Sequence, residues 1–508
     1  METGGGQATG GSQTTGGTPA TGGVAETGGG QATGGSQATG GSPATGGTVA
    51  TGGTKPDSIT PAPGATLVTV DTTVQYQQFE GWGTSLCWWA NRIGGWATEN
   101  MNRFLELVVD PDMGLGYSIF RYNIGGGDDP SHNHMRQYGD MPGFLSEQGV
   151  WDWNADARQT AVLTRLVSTG QNVILEAFSN SPPYWMTNSG CASGSVDGSD
   201  NLREDSYDAF ADYLTEVVKH YTDELGITFR TLEPLNEPNA TWWTANGGQE
   251  GCHFDPSSQQ RIIQAVGQQL DAKSLTETQV SASDENSMND AYSIISGYDA
   301  TTLGFVGQIN VHSYAGSQRT ELRDLAASTG KRLWQSESGP LGVDGLDTNT
   351  QAAIFMAGRI IQDLRELQPA AWIDWQTVDT SNPWTSFSID DGAQTGTPVK
   401  RFYMHATFSR FIRPGATFVD IDNGNMVAAL TADGSAVTVV VLNADLTASE
   451  DYTFDLTPLP SVGANVEVYR TSEAEDLVQL SPIAIDNWSF TASVAPYSVT
   501  AYVVPVTR

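Results

Sequence analysis

Strand-like and helix-like segments alternate along this chain from residue 79 to residue 378. The strand candidates are short apolar runs, whereas the segments between them repeat apolar residues every three or four positions. In one such segment Phe210, Leu214 and Val217 fall on one helical face. Eight alternations predict an α/β fold, a (β/α)8 TIM barrel of eight parallel strands. The strand candidates are residues 79–84, 117–126, 172–179, 228–237, 279–286, 306–314, 332–339 and 371–378.

Helical periodicity stops after the sequence "RPGA" at residues 413–416. The segments that follow, such as "AVTVVVLN" and "ANVEVYR", are short and alternate between apolar and polar residues, which is typical of an antiparallel β-sandwich. A similar segment precedes the first barrel strand and follows no helix. We therefore predict a catalytic barrel of residues 79–412 and an attached β-sandwich side domain of residues 65–78 and 413–508.

The beginning of the chain is a repeat of low complexity. The sequence "ETGGGQATGGSQTTGGTPATGG" at residues 2–23 recurs almost unchanged at residues 26–47. Glycine and threonine at this density cannot bury a core, so we expect residues 1–64 to be a disordered linker. No signal peptide is recognisable after Met1. We expect that the chain follows a secretion or lipoprotein signal and that the protein is secreted or tethered to the cell surface.

The protein is strongly acidic. Its 24 Lys and Arg residues stand against 58 Asp and Glu residues, which gives a net charge of −34. Such a surface repels the phosphate groups of nucleic acids and anionic membranes, so neither is an expected partner. No apolar run reaches the roughly 18 residues that a membrane-spanning helix needs. We expect a soluble monomer.

Two glutamates stand where strand candidates end. Glu237, in "LNEP", closes the fourth candidate before Pro238, and Glu337, in "WQSES", lies near the end of the seventh. Active sites of such barrels lie at the carboxyl ends of the strands, so both carboxylates are expected at one mouth. Glycosidic cleavage requires such a pair, because one protonates the leaving oxygen and the other attacks or activates water. We expect Asn236 to bind a sugar hydroxyl and Glu233 to be structural.

Other chemistries have weaker support in the sequence. It contains no Gly-Lys-Ser phosphate loop and no His-Glu-x-x-His motif, and "RYNIGGGDDP" lacks dinucleotide spacing. The six histidines show no cluster with metal-ligand spacing, so neither a metal nor another cofactor is predicted. Only His312, in "VHSY", is placed at the barrel mouth. The non-enzyme alternative is a barrel that binds carbohydrate without cleaving it, which the presence of both glutamates disfavours.

Seven motifs occur in the order found in glycoside hydrolase family 30, and the chain resembles that family over residues 66–508. The resemblance implies a barrel with a tightly attached β-sandwich and a reaction that retains the anomeric configuration. It also implies that Glu237 is the acid/base, that Glu337 is the nucleophile, and that the charge of Arg121 keeps this nucleophile ionised. The motifs are "QFEGWGTSLCWW", "FRYNIGGGD", "SNSPPYWM", "LEPLNEP", "INVHSY", "WQSESG" and "FYMHATFSRFIRPGA".

The same resemblance implies a set of substrate-binding residues. Asp128 falls where the family holds the outer hydroxyls of the sugar. Trp88 or Trp89 and Trp242 or Trp243 could stack on sugar rings or close the core. The full predicted set is Arg121, Asp128, Asn180, Trp185, Asn236, His312, Tyr314 and Trp375.

Within the family, "GTSLCWWAN", "MTNSGCASG" and "GGQEGCHF" most resemble the endo-β-1,6-galactanases. This implies hydrolysis of β-1,6-linked galactan, such as the side chains of arabinogalactan proteins, with Asp128 recognising the axial 4-hydroxyl of galactose. Other branches act on β-1,6-glucan, glucuronoxylan or glucosylceramide. A β-1,6-glucanase remains the main alternative, while the acidic composition disfavours a glucuronoxylan substrate.

The chain has three cysteines, too few for a disulfide-rich scaffold. Cys191 follows the third strand candidate and Cys252 the fourth, so both belong to neighbouring loops. In an oxidising compartment we predict a disulfide between Cys191 and Cys252, with Cys87 reduced and buried.

Overall fold

The computed structural model describes residues 55–340, 349–380 and 382–506 of the chain. Most of the predicted linker, residues 1–64, lies outside the described residues. The first strand, β1 (Thr66–Gln78), precedes the barrel and belongs to a separate sheet.

Eight strands close into a barrel, which confirms the (β/α)8 prediction. All neighbouring pairs are parallel, and the last strand pairs with the first, so the barrel has no free edge. The strands are β2 (Gly81–Ser85), β3 (Ile119–Asn123), β4 (Ile174–Phe178), β5 (Thr231–Glu233), β6 (Gln279–Ser287), β7 (Val306–Ala315), β8 (Arg332–Glu337) and β9 (Ala371–Gln376).

Helices on the outside of the barrel connect its strands. Phe210, Leu214 and Val217 are fully buried on the inner face of one of them, as their spacing predicted. That helix ends at Gly226, which has a φ of 65° and forms the left-handed cap that favours glycine. Among the described residues, no helix combines the length and apolar character needed to cross a membrane. The helices are α1 (Trp89–Ile93), α2 (Thr98–Val109), α3 (Ala157–Val167), α4 (Tyr207–Leu225), α5 (Pro256–Ala272), α6 (Met288–Ser296), α7 (Ala300–Phe305), α8 (Arg319–Thr329), α9 (Asn349–Gln362) and α10 (Lys400–Ser409).

Strand β5 is much shorter than the predicted strand of residues 228–237. Its ladder ends at Glu233 because the next residue, Pro234, has no N–H to donate. Glu237 therefore lies in the loop beyond β5, and the prediction that it ends a strand before Pro238 is wrong. Glu233 is fully buried inside the barrel, and burial raises its pKa well above the usual range.

The side domain is a nine-stranded sheet folded into two layers. Strand β1 joins the layers, because Thr66–Thr69 pair in parallel with β15 (Glu450–Asp455) and Val70–Gln78 pair antiparallel with β12 (Thr417–Ile421). Phe454 and Phe490 of one layer lie 5.5 and 5.6 Å from Tyr502 of the other, which confirms the sandwich. The hairpin of β10 (Phe387–Asp390) and β11 (Thr395–Pro398) forms a separate two-stranded sheet. Besides β1, the strands of the side domain are β12 (Thr417–Ile421), β13 (Met426–Leu430), β14 (Ala436–Asn443), β15 (Glu450–Asp455), β16 (Asn465–Ser472), β17 (Val478–Ala484), β18 (Ser489–Val494) and β19 (Ser498–Pro505).

The side domain is packed firmly against the barrel. Phe79, just before β2, lies edge-on to Phe418 of β12 at 5.6 Å. Phe411, just after α10, lies 4.5 Å from Tyr469 of β16. One hydrophobic core therefore runs from the barrel helices into the adjacent layer of the sandwich.

Candidate active site

Two buried glutamates face each other at the carboxyl end of the barrel. Glu337 is the last residue of β8, as predicted, and is 5 % exposed. Glu237, 7 % exposed, is held in the β5 loop with a φ of 47°. Its N–H donates to the Asp284 carbonyl at 2.9 Å, and its own carbonyl accepts from Trp243 Nε1 at 3.0 Å. These backbone bonds fix the direction of a side chain that no strand holds.

His312 of β7 lies between the two carboxylates. Its Nδ1 is 3.1 Å from Glu237 Oε1 and 3.4 Å from Glu337 Oε1. The facing oxygens of the two glutamates and this nitrogen all lie within 4.8 Å of one another. Tyr314 donates its hydroxyl to Glu337 Oε1 at 2.9 Å, and Asn286 donates its amide to Glu237 Oε1 at 2.6 Å. The two carboxylates are thus close neighbours that share His312 and have one further donor each.

A buried ionic network lies beneath Glu337. Arg121 of β3 is fully buried and donates to Glu176 Oε1 at 2.7 Å and to Asp284 Oδ2 at 2.5 Å. Its Nη1 is 3.6 Å from Glu337 Oε2. Within the described part of the chain, Glu337 Oε2 accepts no hydrogen bond. Arg121 therefore lies beside this oxygen, where the resemblance placed it, and leaves its lone pairs free.

The charges of this cluster are strongly coupled. Burial raises the pKa of Glu337 to about 7; His312 opposes this rise, Glu237 adds to it, and Arg121 opposes it less than His312 does. Burial disfavours the charged form of His312, but Glu337 and Asp284 outweigh this and raise its pKa to about 10. His312 is therefore a cation at neutral pH. The charge of Arg121 also lowers the pKa of Glu337, and the charge of His312 lowers it more.

An open cavity of about 360 Å³ lies above the two glutamates. Of the predicted substrate-binding residues, Asn236, Tyr314 and Trp375 line it. The side chain of Trp242 is 54 % exposed at its rim, whereas Trp243 is buried and supports Glu237. The cavity can therefore admit part of a polymer from solvent. Its lining residues are Arg136, Asn236, Glu237, Trp242, Trp243, Gln249, Asn286, Tyr314, Glu337, Trp375, Asp379 and Trp384.

Five of the eight predicted substrate-binding residues do not line this cavity. Two of them, Arg121 and His312, lie beside Glu337. Asn180 is buried lower, with Nδ2 3.4 Å from Asn123 Oδ1. Trp185 is half-buried and borders a second cavity. Asp128 Oδ1 accepts from the Ala192 N–H at 2.9 Å, and its Oδ2 faces histidines. Asp128 thus contacts groups of the protein itself and, like Trp185, borders the second cavity.

Several lining residues were not predicted, because long loops bring them to the mouth. Arg136 comes from the β3 loop, stacks its guanidinium 3.8 Å from the Trp88 ring, and donates to Gln249 at 2.6 Å. Trp88 is itself buried against Trp375, so it closes the core and does not offer a free face. Only Asn286, which ends a predicted strand, and Asp379, which directly follows one, carried a positional signal in the sequence.

The predicted disulfide is wrong: all three cysteines are free and buried. Cys191 Sγ faces His134 and Ser193, at 3.3 and 3.1 Å, whereas Cys252 Sγ faces the backbone carbonyl of His253. The two loops are neighbours, but their thiols point to different partners. Cys87 is buried and reduced, as predicted.

Comparison with known proteins agrees with this geometry. A family model described as O-Glycosyl hydrolase family 30 matches residues 65–386. The chain is 32% identical to an endo-beta-1,6-galactanase of Hypocrea rufa, covering 84% of this chain and 92% of that protein. It is 25% identical to an exo-beta-1,6-galactobiohydrolase of Bifidobacterium longum subsp. longum, covering 80% of this chain and 36% of that protein.

Among solved structures, the catalytic domain of xylanase C from Talaromyces cellulolyticus has the same fold. Its TM-score is 0.68 at 19% identity, over 86% of this chain and 100% of that one. The paired glutamates at the barrel mouth, the attached sandwich and the family match over most of the chain lead to one assignment. This protein is a glycoside hydrolase and belongs to family 30.

Proposed function

We propose that this enzyme is a secreted endo-glycosidase that hydrolyses β-1,6-linked galactan with retention of the anomeric configuration. The observation that carries the mechanism is the spacing of Glu237 and Glu337, whose facing oxygens lie within 4.8 Å. Retaining glycosidases keep their carboxyl groups about 5–5.5 Å apart, whereas inverting enzymes leave about 6.5–9.5 Å for a water molecule. The short separation supports direct attack by one carboxylate.

In this proposal Glu337 is the nucleophile. Its Oε2 has no hydrogen-bond donor among the described residues and is free to attack the anomeric carbon. Tyr314 and His312 hold the other oxygen, and Arg121 lies below. These groups stabilise the carboxylate both before attack and when it leaves the covalent glycosyl-enzyme.

Glu237 is the acid/base of the proposed reaction. It gives a proton to the glycosidic oxygen while Glu337 bonds to the anomeric carbon and the glycosidic bond breaks. It then takes a proton from the water that hydrolyses the glycosyl-enzyme. Asn286 and His312 orient its carboxyl group. The left-handed backbone at Glu237 aims the side chain across the mouth toward Glu337.

The proposed substrate rests on the relatives. One is an endo-beta-1,6-galactanase and the other an exo-beta-1,6-galactobiohydrolase by description, and the match to the first covers most of both chains. Asn236 lines the cavity, and its Oδ1 is buried without a hydrogen-bond partner among the described residues. In this proposal it is a polar contact for a sugar hydroxyl. A polymeric galactan does not cross a membrane unaided, so the proposal places the enzyme outside the cell.

Two measurements on the purified enzyme test this proposal. First, NMR of a β-linked galacto-oligosaccharide during hydrolysis should show the β-anomer as the initial product; an initial α-anomer would exclude retention. Second, β-1,6-galacto-, β-1,6-gluco- and β-1,3-galacto-oligosaccharides of equal length should be compared. Fastest cleavage of the β-1,6-galactoside, with internal bonds cut first, is expected. Equal or faster cleavage of the β-1,6-glucoside would contradict the galactan assignment.

A further inference from the structure

Four side chains with metal-binding atoms meet outside the catalytic cavity. Asp128, His132 and His134 come from the loop after β3, and Cys191 comes from the loop after β4. Asp128 Oδ2 lies 3.0 Å from His132 Nδ1 and 2.9 Å from His134 Nε2. Cys191 Sγ lies 3.3 Å from His134 Nε2 and 3.8 Å from Asp128 Oδ2. The interpretation that the histidines form no metal-type cluster is therefore wrong.

We propose that these four residues form a structural zinc site. Zinc bonds of about 2.0–2.3 Å in a tetrahedron place the ligand atoms about 3.2–3.8 Å apart. The four measured separations, 2.9–3.8 Å, match this range within a few tenths of an ångström. A set of two imidazoles, one thiolate and one carboxylate suits zinc, whereas magnesium and calcium require oxygen ligands.

The surroundings orient these atoms toward a common centre. His134 Nδ1 is 2.6 Å from the Gly247 carbonyl and must therefore carry a hydrogen, which directs the other ring nitrogen to the cluster. Asp128 Oδ1 accepts from the Ala192 N–H, which leaves Oδ2 for the centre. Metal-binding histidines and carboxylates characteristically have such outer partners.

The alternative is that the cluster binds no metal and that protons on the side chains balance its charges. If both nitrogens of His134 carry hydrogens, the ring can form an ion pair with Asp128 Oδ2 without any metal. In that arrangement Cys191 has Ser193 as a partner at 3.1 Å, but its sulfur also points at the same His134 nitrogen, and the residue is only 2 % exposed. A zinc ion uses all four groups, and the thiolate then neutralises part of its charge.

Zinc at this point would fasten three loops of the barrel mouth. The ligands join the β3 and β4 loops, and the Gly247 carbonyl adds the β5 loop. Arg136, two residues after His134, is positioned by the same region. Its N–H donates to the Gly248 carbonyl at 2.9 Å, and its side chain lines the catalytic cavity. The site therefore holds the cavity wall without touching the reacting atoms.

The test is zinc binding by the full chain without a metal-affinity tag. Protein prepared without chelator should contain close to one zinc per chain. After chelator dialysis, zinc titration against a competing indicator should restore one tight site and raise the melting temperature. Cys191→Ala and His132→Ala should each weaken zinc binding by at least tenfold. His132→Ala is included because the His132 side chain is 31 % exposed and its loss disturbs packing least.

Cys252→Ala is the matched control, since Cys252 is also free and buried but faces a backbone carbonyl. It should bind zinc like the wild type. Cobalt substitution adds a second readout, because a thiolate-to-cobalt absorption band should appear in the wild type and in Cys252→Ala but not in Cys191→Ala. Chelated wild type that takes up no zinc, or Cys191→Ala that binds it equally well, would overturn the proposal in favour of the ion pair.

Discussion

Glu337 and Glu237 carry the same functional group but lie in different surroundings. Glu337 stands on a strand end, above Arg121 and beside the hydroxyl of Tyr314, and one of its oxygens is free. Glu237 stands on a loop and contacts an amide and an imidazole. At the scale of single residues, this asymmetry supports the proposed roles of Glu337 as nucleophile and Glu237 as acid/base.

Glu337→Gln should lower kcat by several orders of magnitude while leaving the melting temperature near that of the wild type. An amide cannot form the glycosyl ester, but it fills the same space. Glu233→Gln is the matched control, because Glu233 is also a buried glutamate, burial raises its pKa, and an amide replaces it closely. Activity of Glu337→Gln within tenfold of the wild type would remove Glu337 from the nucleophile role.

Glu237→Ala should be nearly inactive on natural galactan but should recover on substrates with activated leaving groups, which need no protonation. Added azide should then attack the glycosyl-enzyme and give a glycosyl azide of retained configuration, identified by NMR. If azide rescues Glu337→Ala with retention and fails to rescue Glu237→Ala, the two roles are reversed.

His312→Gln should move the acid limb of the kcat/KM profile to higher pH. Burial raises the pKa of Glu337 to about 7, and the His312 cation is the largest influence that lowers it. Removing that cation raises the pKa further, so a higher pH is needed to ionise the nucleophile. The profile of His220→Gln, a histidine stacked on Trp153 at 3.8 Å, serves as control and should not move. A shift of the His312→Gln limb to lower pH would contradict the argument.

Strand β1 is the element that connects the two layers of the side domain. Its alternation places Val68 fully in the sandwich core, while the neighbouring Leu67 is 37 % exposed on the other face. Because β1 pairs with β12 and β15 at once, its buried residues hold both layers together.

At the scale of this element, Val68→Ala should destabilise the protein by about 2 kcal/mol, since it deletes buried methyl groups and leaves a cavity. Leu67→Ala should change stability by no more than about 0.5 kcal/mol, as for other surface positions. Thermal melting of both variants measures the difference. Equal losses of stability in the two variants would contradict the arrangement in which Val68 faces the sandwich core and Leu67 faces solvent.

The whole molecule is acidic, and several of its carboxyl groups are buried. Burial raises the pKa of Asp156 to about 7, that of Glu285 to about 8 and that of Asp374 to about 6. The folded state therefore binds these protons more tightly than the unfolded state. Their contribution to stability is fully present below about pH 4 and is lost as the pH rises through 6 to 8.

We therefore expect a higher melting temperature at pH 5 than at pH 8. The measurements should be made in high salt, which screens the repulsion among surface charges but leaves the effect of the buried groups on stability. Asp156→Asn should flatten the pH dependence of the melting temperature, because one titrating group is gone. Asp451→Asn, at an exposed position, should not flatten it. A melting temperature that rises from pH 5 to pH 8 in high salt would refute the prediction.

The architecture followed from periodicity because it depends on local sequence. Short apolar runs alternate with segments of helical periodicity, and this pattern specifies eight strand-and-helix units. Parallel strands that are connected by helices can form only a few topologies. Glu337 could be placed at the mouth for the same reason, since it ends a regular strand. Its partner, Glu237, could be identified by its motif, but its backbone could not, because Pro234 ends β5 early and tertiary bonds then set the loop.

Contacts between loops were decided only by the tertiary structure. Asp128 and Cys191 are 63 residues apart, and no period in the sequence relates them. Their meeting depends on how the loops after β3 and β4 pack over the barrel, as do the positions of Arg136 and Trp242 at the cavity. The sequence by itself thus determined the barrel, the sandwich and the pair of glutamates at the barrel mouth. Packing decided the thiol partners, the charge on His312 and the walls of the cleft, because these depend on distances between residues remote in the chain.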